Sequence, residues 1–530
     1  MLDGGGAGPR GRAAAAAALP SVGVDERRIL AYASAIGPEF DFGLLVEAMG
    51  MDEETLAEQL ERLVRRGILV ERPGGERFAF AEEGFRAEAY RSLTESRLRV
   101  LHRKIAEVLE RRAPQPSPAV LSELGRHYFL GKVPAKSYEF NRRAAELARS
   151  AGETDVAIHH LERAVVDLAQ LGGDRRTEQA EISELLGDLS HQASRFQAAD
   201  RYYQEALARI GHEQPRITAR LLLARAEIAR ESLNAEAATD GAGRALKLFE
   251  AEGDAVGTAQ TYRLLGRVSF QQGAYRDALD QSMRALEALP DSADPRVIGQ
   301  LSIDIGNAFA MLGEELRPVA IEWYERAVKR LRTGGVSAEL IRALHNLGVT
   351  VGEIRPPDGL EYLQEARDAA ERIHDGRALG RALLSGVEMR LALGQVEEAE
   401  RDNEQAGRLL EQLSDSLGLE QVLTNRGLIA ERAGQWDDAG AAYERAAEMA
   451  RNNRILADEA EARFHLARLR YKTRDLAGAR AAFREATELK VTELSPRLLS
   501  AYTQLKHDLE GTEPSGDGSA QDSGEPPTVD

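Results

Sequence analysis

The residues that could do covalent chemistry in this 530-residue chain are few and scattered. There is no cysteine, which excludes disulfides, thiolate metal sites and thiol nucleophiles. Ten histidines are spread along the sequence, and His127 and the pair His159-His160 come nearest to a cluster. No HExxH, no GxSxG and no Gly-rich run ending in Gly-Lys-Ser/Thr accompanies them, so no zinc hydrolase, serine hydrolase or phosphate loop is indicated. Such histidines read as surface or partly packed helix residues, and the many carboxylate pairs as solvated helix faces. The expectation is a non-enzymatic protein with no catalytic residue, no metal and no cofactor. What remains is recognition chemistry. Arg263, Arg267, Asn307, Arg342, His345, Asn346 and Asn425, with Phe270 beside them, are the candidate partner-binding residues. Amides hold a peptide backbone and guanidinium groups hold its acids, so a protein or peptide ligand is expected there.

What must position these side chains is a repeat. Residues 262–290 read YRLLGRVSFQQGAYRDALDQSMRALEALP, two helical stretches meeting at a Gln271-Gln272-Gly273 turn. Small residues at Gly266, Ala278 and Ala285 let two helices cross closely. The last of these recurs as Ala164, Ala206, Ala245, Ala285, Ala327, Ala366, Ala406, Ala446 and Ala486, with differences of 42, 39, 40, 42, 39, 40, 40 and 40. Seven residues before each stands another small residue, from Ala157 through Gly359 to Ala479. Three before is often large, as at Tyr203, Tyr324, Leu363 and Tyr443. That spacing places small, large and small side chains on one helix face. The preceding helix carries Gly187, Gly266, Gly306, Gly348 and Gly427 at one equivalent site, with Ala226 and Ala467 substituting.

The unit resembles the tetratricopeptide (TPR) pattern, here Leu265-Gly266, Ala278, Ala285 and Pro290, with Ser269 and Ser282 where aromatics are usual. Its period of about 40 exceeds the usual 34, so each helix should be longer by nearly a turn. The resemblance implies an all-α, right-handed superhelical solenoid of about nine helix pairs, in which the first (A) helices line a concave groove. The candidates above lie at set offsets from the A-helix Gly/Ala site, except Asn346 and Asn425, which stand beside such positions. The same offsets place Gln260, Gln300, Ile303, Ala310, Val349, Gln421, Thr424 and Leu428 on the groove.

Ahead of the repeats the period changes. DERRILAYASAIG, DFGLLVEAM and MDEETLAEQLERLVRRGIL read as three helices, the second capped by Asp41 and the third by Asp52. Ile68 to Glu71 and Arg77 to Ala81 flank Pro73-Gly74-Gly75, a hairpin signal. Three helices and a two-stranded wing predict a winged-helix module. Between Asp25 and Glu83, fourteen acids face seven bases, a net of −7. Phosphate neutralisation dominates non-specific DNA affinity, so nucleic acid is not the expected partner, and a DNA-associated regulator using the winged helix is the alternative. The stretch from Arg91 to Arg112 is the local positive exception and reads as a solvated helix face, the alternative being a surface for an acidic partner or a nucleic-acid backbone.

AIGPEFDFGLLVEAMG, LAEQLERLVRRGILVER and RFAFAEEGFRAEAYRSLTESRLRVLHRKIAEVLE resemble the segment after the ATPase core of signal-transducing AAA-type (STAND) NTPases, including large transcription activators. The likeness continues to about Val165. It implies a winged helix followed by a TPR-like sensor array in signalling or transcription control. In that family a nucleotide domain would stand upstream of Val24, and no Walker A or Walker B pattern occurs in this sequence. ATP hydrolysis is therefore not carried over, and a separate ATPase subunit becomes a candidate partner.

The formal charge of −18 suits a well-solvated protein and disfavours a general polyanion binder. No run of eighteen apolar residues is present, so no membrane span is expected and the location expected is cytoplasmic. The divisions expected are a flexible leader (1–23), the winged helix (24–93), a helical linker (94–134), the repeats with a capping helix near Ser495 to Leu509 (135–510), and a disordered tail (511–530).

Overall fold

The computed structural model describes residues 20–210, 214–290, 292–489 and 496–511. Apart from residues 20–23 and 511, the leader and tail lie outside those. The chain divides into two units, one ending at Ile228 and the other beginning at Ala229.

The first unit opens with α1 (Val24–Ile36), whose apolar face buries Ile29, Leu30 and Ala33. The short strand β1 (Glu39–Asp41) leads directly into α2 (Phe42–Met49), whose first turn is held by Asp41 accepting the Leu44 N–H at 2.7 Å. Helix α3 (Glu53–Arg65) starts under Asp52 and carries acids in its first turn and arginines in its last, which suits the helix dipole. Strands β2 (Leu69–Glu71) and β3 (Arg77–Phe80) follow, joined through Gly74 and Gly75, both at positive φ. The sheet is antiparallel in the order β1-β3-β2, with Phe40 opposite Phe78. The sequence signals give the hairpin but not β1, because three residues are too few to show alternation. Phe40 stacks on Phe78 with centroids 6.1 Å apart, closing the core against α1.

Helices α4 (Glu83–Arg91), α5 (Glu95–Arg112) and α6 (Pro118–Leu130) extend the same core through Phe85, Leu101, Ile105 and Leu124. The basic stretch is partly paired. Arg112 meets Asp41 at 2.7 Å and Arg103 reaches the Gly131 carbonyl. Two hairpins then stack, α7 (Pro134–Ser150) with α8 (Thr154–Leu168), and α9 (Arg176–Gln192) with α10 (Phe196–Ile210). The unit boundary falls within α11 (Pro215–Glu231).

The second unit contains α12 (Ala235–Ala251) and six hairpins: α13 (Ala255–Gln271) with α14 (Tyr275–Ala288), α15 (Pro295–Leu312) with α16 (Arg317–Leu331), α17 (Ala338–Gly352) with α18 (Pro356–Arg372), α19 (Gly376–Ala392) with α20 (Val396–Gln412), α21 (Ser416–Arg432) with α22 (Trp436–Asn453), and α23 (Leu456–Lys472) with α24 (Leu476–Glu488). Helix α25 (Pro496–Gly511) covers the last pair, burying Leu505 and Leu509 and stacking Tyr502 on Phe483 at 4.5 Å.

Many of these helices have 17 residues, which with short turns accounts for the long period. The spaced alanines are what the stack closes over. From Ala157 to Ala486 none is more than 5% exposed, and most are wholly buried. At several crossings the A-helix glycine makes room for a large B-helix side chain. A Cβ at Gly187, Gly306 or Gly427 would come within 2.8 Å of the ring of Tyr203, Tyr324 or Tyr443 respectively. The chain is thus a set of all-α hairpin stacks behind a small α/β element at its start.

Candidate ligand-binding face on the A helices

Successive A helices of the second unit also touch one another, α13 with α15, α15 with α17, α17 with α19. Equivalent positions therefore form rows running from repeat to repeat. In one row Arg263 donates from Nε to Asp304 Oδ2 at 2.6 Å and from Nη1 to Gln300 Oε1 at 2.8 Å. Gln300 in turn donates to Glu339 Oε1 at 3.1 Å. A second row starts at the buried Tyr324, whose hydroxyl donates to Asn307 Oδ1 at 2.8 Å. The same oxygen accepts from Asn346 Nδ2 at 2.8 Å. Asn346 Oδ1 faces His345 Nδ1 at 3.2 Å, and His345 Nε2 faces Ser385 Oγ at 2.9 Å. An amide oxygen can only accept, so the His345 proton sits on Nδ1 and the Ser385 hydroxyl donates to Nε2. Burial keeps this imidazole neutral, its pKa held below the ordinary value.

Six of the eight expected residues are thereby brought together on α13, α15 and α17: Arg263, Arg267, Asn307, Arg342, His345 and Asn346. Phe270 stands nearer the turn, edge-on to Tyr275 at 5.2 Å. Asn425 is apart, 1% exposed on α21, where its amide donates to the Leu384 carbonyl at 3.1 Å and ties α21 to α19. The offset rule misplaces Ile303, which is fully buried in the core, and its neighbour Asp304 is the residue that meets Arg263. Sequence reasoning also missed Glu339 and Ser385. The signal available for Asp304 was an acid 41 residues after an arginine, one repeat along.

Arg342 differs from the rest of the face. Its side chain is exposed, and it makes no hydrogen bond or ion pair among the described residues. Its ionisation is held below the ordinary arginine value, first by desolvation and then by repulsion from Arg263 and Arg267, with Asp304 and Glu339 opposing. Three guanidinium groups thus act on one another in one patch, where Asp304 is bonded to Arg263. Such an arrangement can take up a further acid.

The histidines correct the sequence reading. His102, His127 and His160 are buried, at 0%, 1% and 3% exposure, and all three are hydrogen-bonded. Among the described residues no group of three His, Asp or Glu is placed to hold a metal ion, and no helix is long and apolar enough to cross a membrane.

No family model matches this chain, and no curated protein matches it. Solved structures do. A STAND protein with a tetratricopeptide repeat sensor from Pyrococcus horikoshii matches at 15% identity and TM-score 0.47, over 82% of this chain and 64% of that one. The apo quorum sensor NprR from B. thuringiensis matches at 11% identity and TM-score 0.49, over 66% of this chain and 92% of that one. Aspartyl phosphate phosphatase F from Bacillus subtilis matches at 14% identity and TM-score 0.47, over 67% and 95%. No residue role is carried over from any of them, and the chain spans less than two thirds of the STAND protein's length. The chain's own sequence carries no phosphate-loop pattern.

Proposed function

We propose that the chain is a non-enzymatic interaction protein that binds an acidic peptide or protein segment across α13, α15 and α17, within a cytoplasmic signalling or transcription-control assembly. The observation that carries this is Arg342, a guanidinium with no hydrogen bond or ion pair of its own beside Arg263 and Arg267. A ligand carboxylate placed there gains charge-assisted hydrogen bonds and relieves the repulsion between the arginines. Asn307 and Asn346 are held in position by Tyr324 and His345, so part of the face is pre-organised.

In this reading the hairpins form a right-handed TPR-like superhelix with the A helices lining its groove. Helices α1 to α3 and the three-stranded sheet form a winged-helix module. The module's charge argues against DNA as its ligand: α3 opens with Glu53 and Glu54, and Arg66 is bonded to Glu26 at 2.8 Å. The STAND-like segment favours a second reading, in which the chain is the regulatory partner of a separate ATPase subunit.

A random dodecapeptide phage library panned on the wild type should enrich sequences bearing Asp, Glu or a free C-terminal carboxylate. On Arg342→Glu the same peptides should bind at least about tenfold more weakly, the loss of one charge-assisted contact. Equal recovery on both chains would overturn the assignment.

A further inference from the structure

In the first unit the buried histidines form a hydrogen-bonded chain whose proton positions are fixed from one end. Arg126 on α6 can only donate, and its Nη2 gives one N–H to the Ile36 carbonyl at the end of α1 (2.5 Å) and another to His127 Nε2 (2.9 Å). His127 Nε2 is therefore the unprotonated nitrogen, and the ring's proton is on Nδ1. That Nδ1 lies 2.9 Å from His102 Nδ1 on α5, which must accept. The His102 proton is thus on Nε2, where it donates to the Tyr90 hydroxyl on α4 at 2.9 Å.

A second proton on either ring breaks this order. On His127 it would set N–H against the N–H of Arg126; on His102 it would set Nδ1–H against the Nδ1–H of His127. His160 in α8 is different. Its Nδ1 donates to Asn141 Oδ1 at 2.8 Å, and its Nε2 faces the Ser122 hydroxyl at 2.9 Å, which can accept as readily as donate. An added proton at His160 leaves both bonds in place.

We propose that the chain Arg126–His127–His102–Tyr90 is an acid-sensitive latch, holding α4 and the end of α1 onto α5 and α6 at neutral pH and releasing them in mild acid. The charges around it work in that direction. Arg86 of α4 and Arg163 of α8 stand near Arg126, α5 turns Arg103 to the Gly131 carbonyl, and Glu123 of α6 is the acid that opposes them. From α1 the latch receives the carbonyls of Ile36 and, through Arg86, of Ser34. Burial, then Arg126, holds His102 down to about 4 and His127 well below the imidazole range. A folded-state pKa below the unfolded one gives stability that is complete above about 6.5 and lost as pH falls toward the folded value. At about pH 5 each histidine favours the open form about thirtyfold, and the two together about a thousandfold.

Hydrogen exchange of the full chain, corrected for intrinsic rates, tests this. Between pH 7.5 and pH 5, peptides from α4 and α5 should gain up to about a thousandfold in opening constant while those from α9 and α10 change far less. His102→Gln keeps a neutral donor and acceptor and should reduce that gain to about thirtyfold. An unchanged gain in His102→Gln, or an equal gain in every helix of the unit, would overturn the latch. If the variant does not fold, histidine nitrogen NMR of the wild type decides it. The latch requires the neutral proton on Nδ1 of His127 and on Nε2 of His102, and any other pair of tautomers refutes it.

Discussion

Replacing Gly427 by alanine should destabilise the second unit by about 2–4 kcal/mol, although alanine is the better helix former. A Cβ at residue 427 would stand 2.6 Å from Cδ1 and 2.7 Å from Cζ of Tyr443. The ring cannot retreat: Tyr443 is wholly buried, stacks on His465 at 5.3 Å, and donates its hydroxyl to Glu431 Oε2 at 3.1 Å. Gly266 occupies the equivalent place in α13, but the contacts there are milder, the small Ser282 Oγ at 3.0 Å and the Ala278 carbonyl oxygen at 3.2 Å. Gly266→Ala should therefore be neutral within about 1 kcal/mol, because helix propensity offsets a slight squeeze. Urea unfolding of the two variants checks the contrast, and a double-mutant cycle makes it specific. In a Tyr443→Ala background the penalty of Gly427→Ala should vanish. Equal effects at 427 and 266, or a penalty that survives removal of Tyr443, would show that the crossing is not what these glycines serve.

Glu420→Gln should stabilise the protein at mildly alkaline pH and leave it nearly unchanged in mild acid. Glu420 on α21 is 3% exposed and its Oε2 has no hydrogen-bond partner. Burial first, then repulsion from Asp458 and Glu461, pushes its pKa up to about 8, and Asp458 is raised by burial and by Glu461. The folded chain therefore holds this proton more tightly than the unfolded chain, whose glutamate titrates near 4.3. Between those values the folded state binds more protons, so stability falls as pH rises toward 8. Glutamine cannot ionise and removes that slope. The expected gain is about 2–3 kcal/mol at pH 8 and below about 1 kcal/mol at pH 5, allowing for relaxation around the charged form. Melting temperatures of the two chains at pH 5, 6.5 and 8 should converge at the acid end and diverge at the alkaline end. Parallel curves would mean that Glu420 is already ionised in the folded protein.

These effects also show what the sequence could and could not reveal. The hairpin stack was legible because its constraint is steric and recurs: a small residue seven residues before an alanine in each repeat, and at several crossings a glycine opposite a tyrosine. Where Ala226 takes the glycine's place, the position equivalent to Tyr443 is Ala242, so at that crossing the sizes compensate. Strand β1 was not legible, since Glu39 to Asp41 is defined by its pairing with β3 and not by any pattern of its own. The polar rows on the A helices were legible to within one residue. Counting from the glycine picks Ile303, while the helix presents Asp304 to Arg263. The histidine chain was hidden for a different reason. Tyr90, His102 and His127 come from three helices without a common spacing, and only their packing makes three ordinary residues into one hydrogen-bonded unit.

The reading as a whole stands on the A-helix face being where a ligand docks. Hydrogen–deuterium exchange of the wild-type chain, with and without an acidic dodecapeptide selected on it, addresses that claim most directly. Protection should rise in α13, α15 and α17 and be lost on Arg342→Glu. Protection confined to B helices α14, α16 and α18, or to residues 24–93, would contradict it.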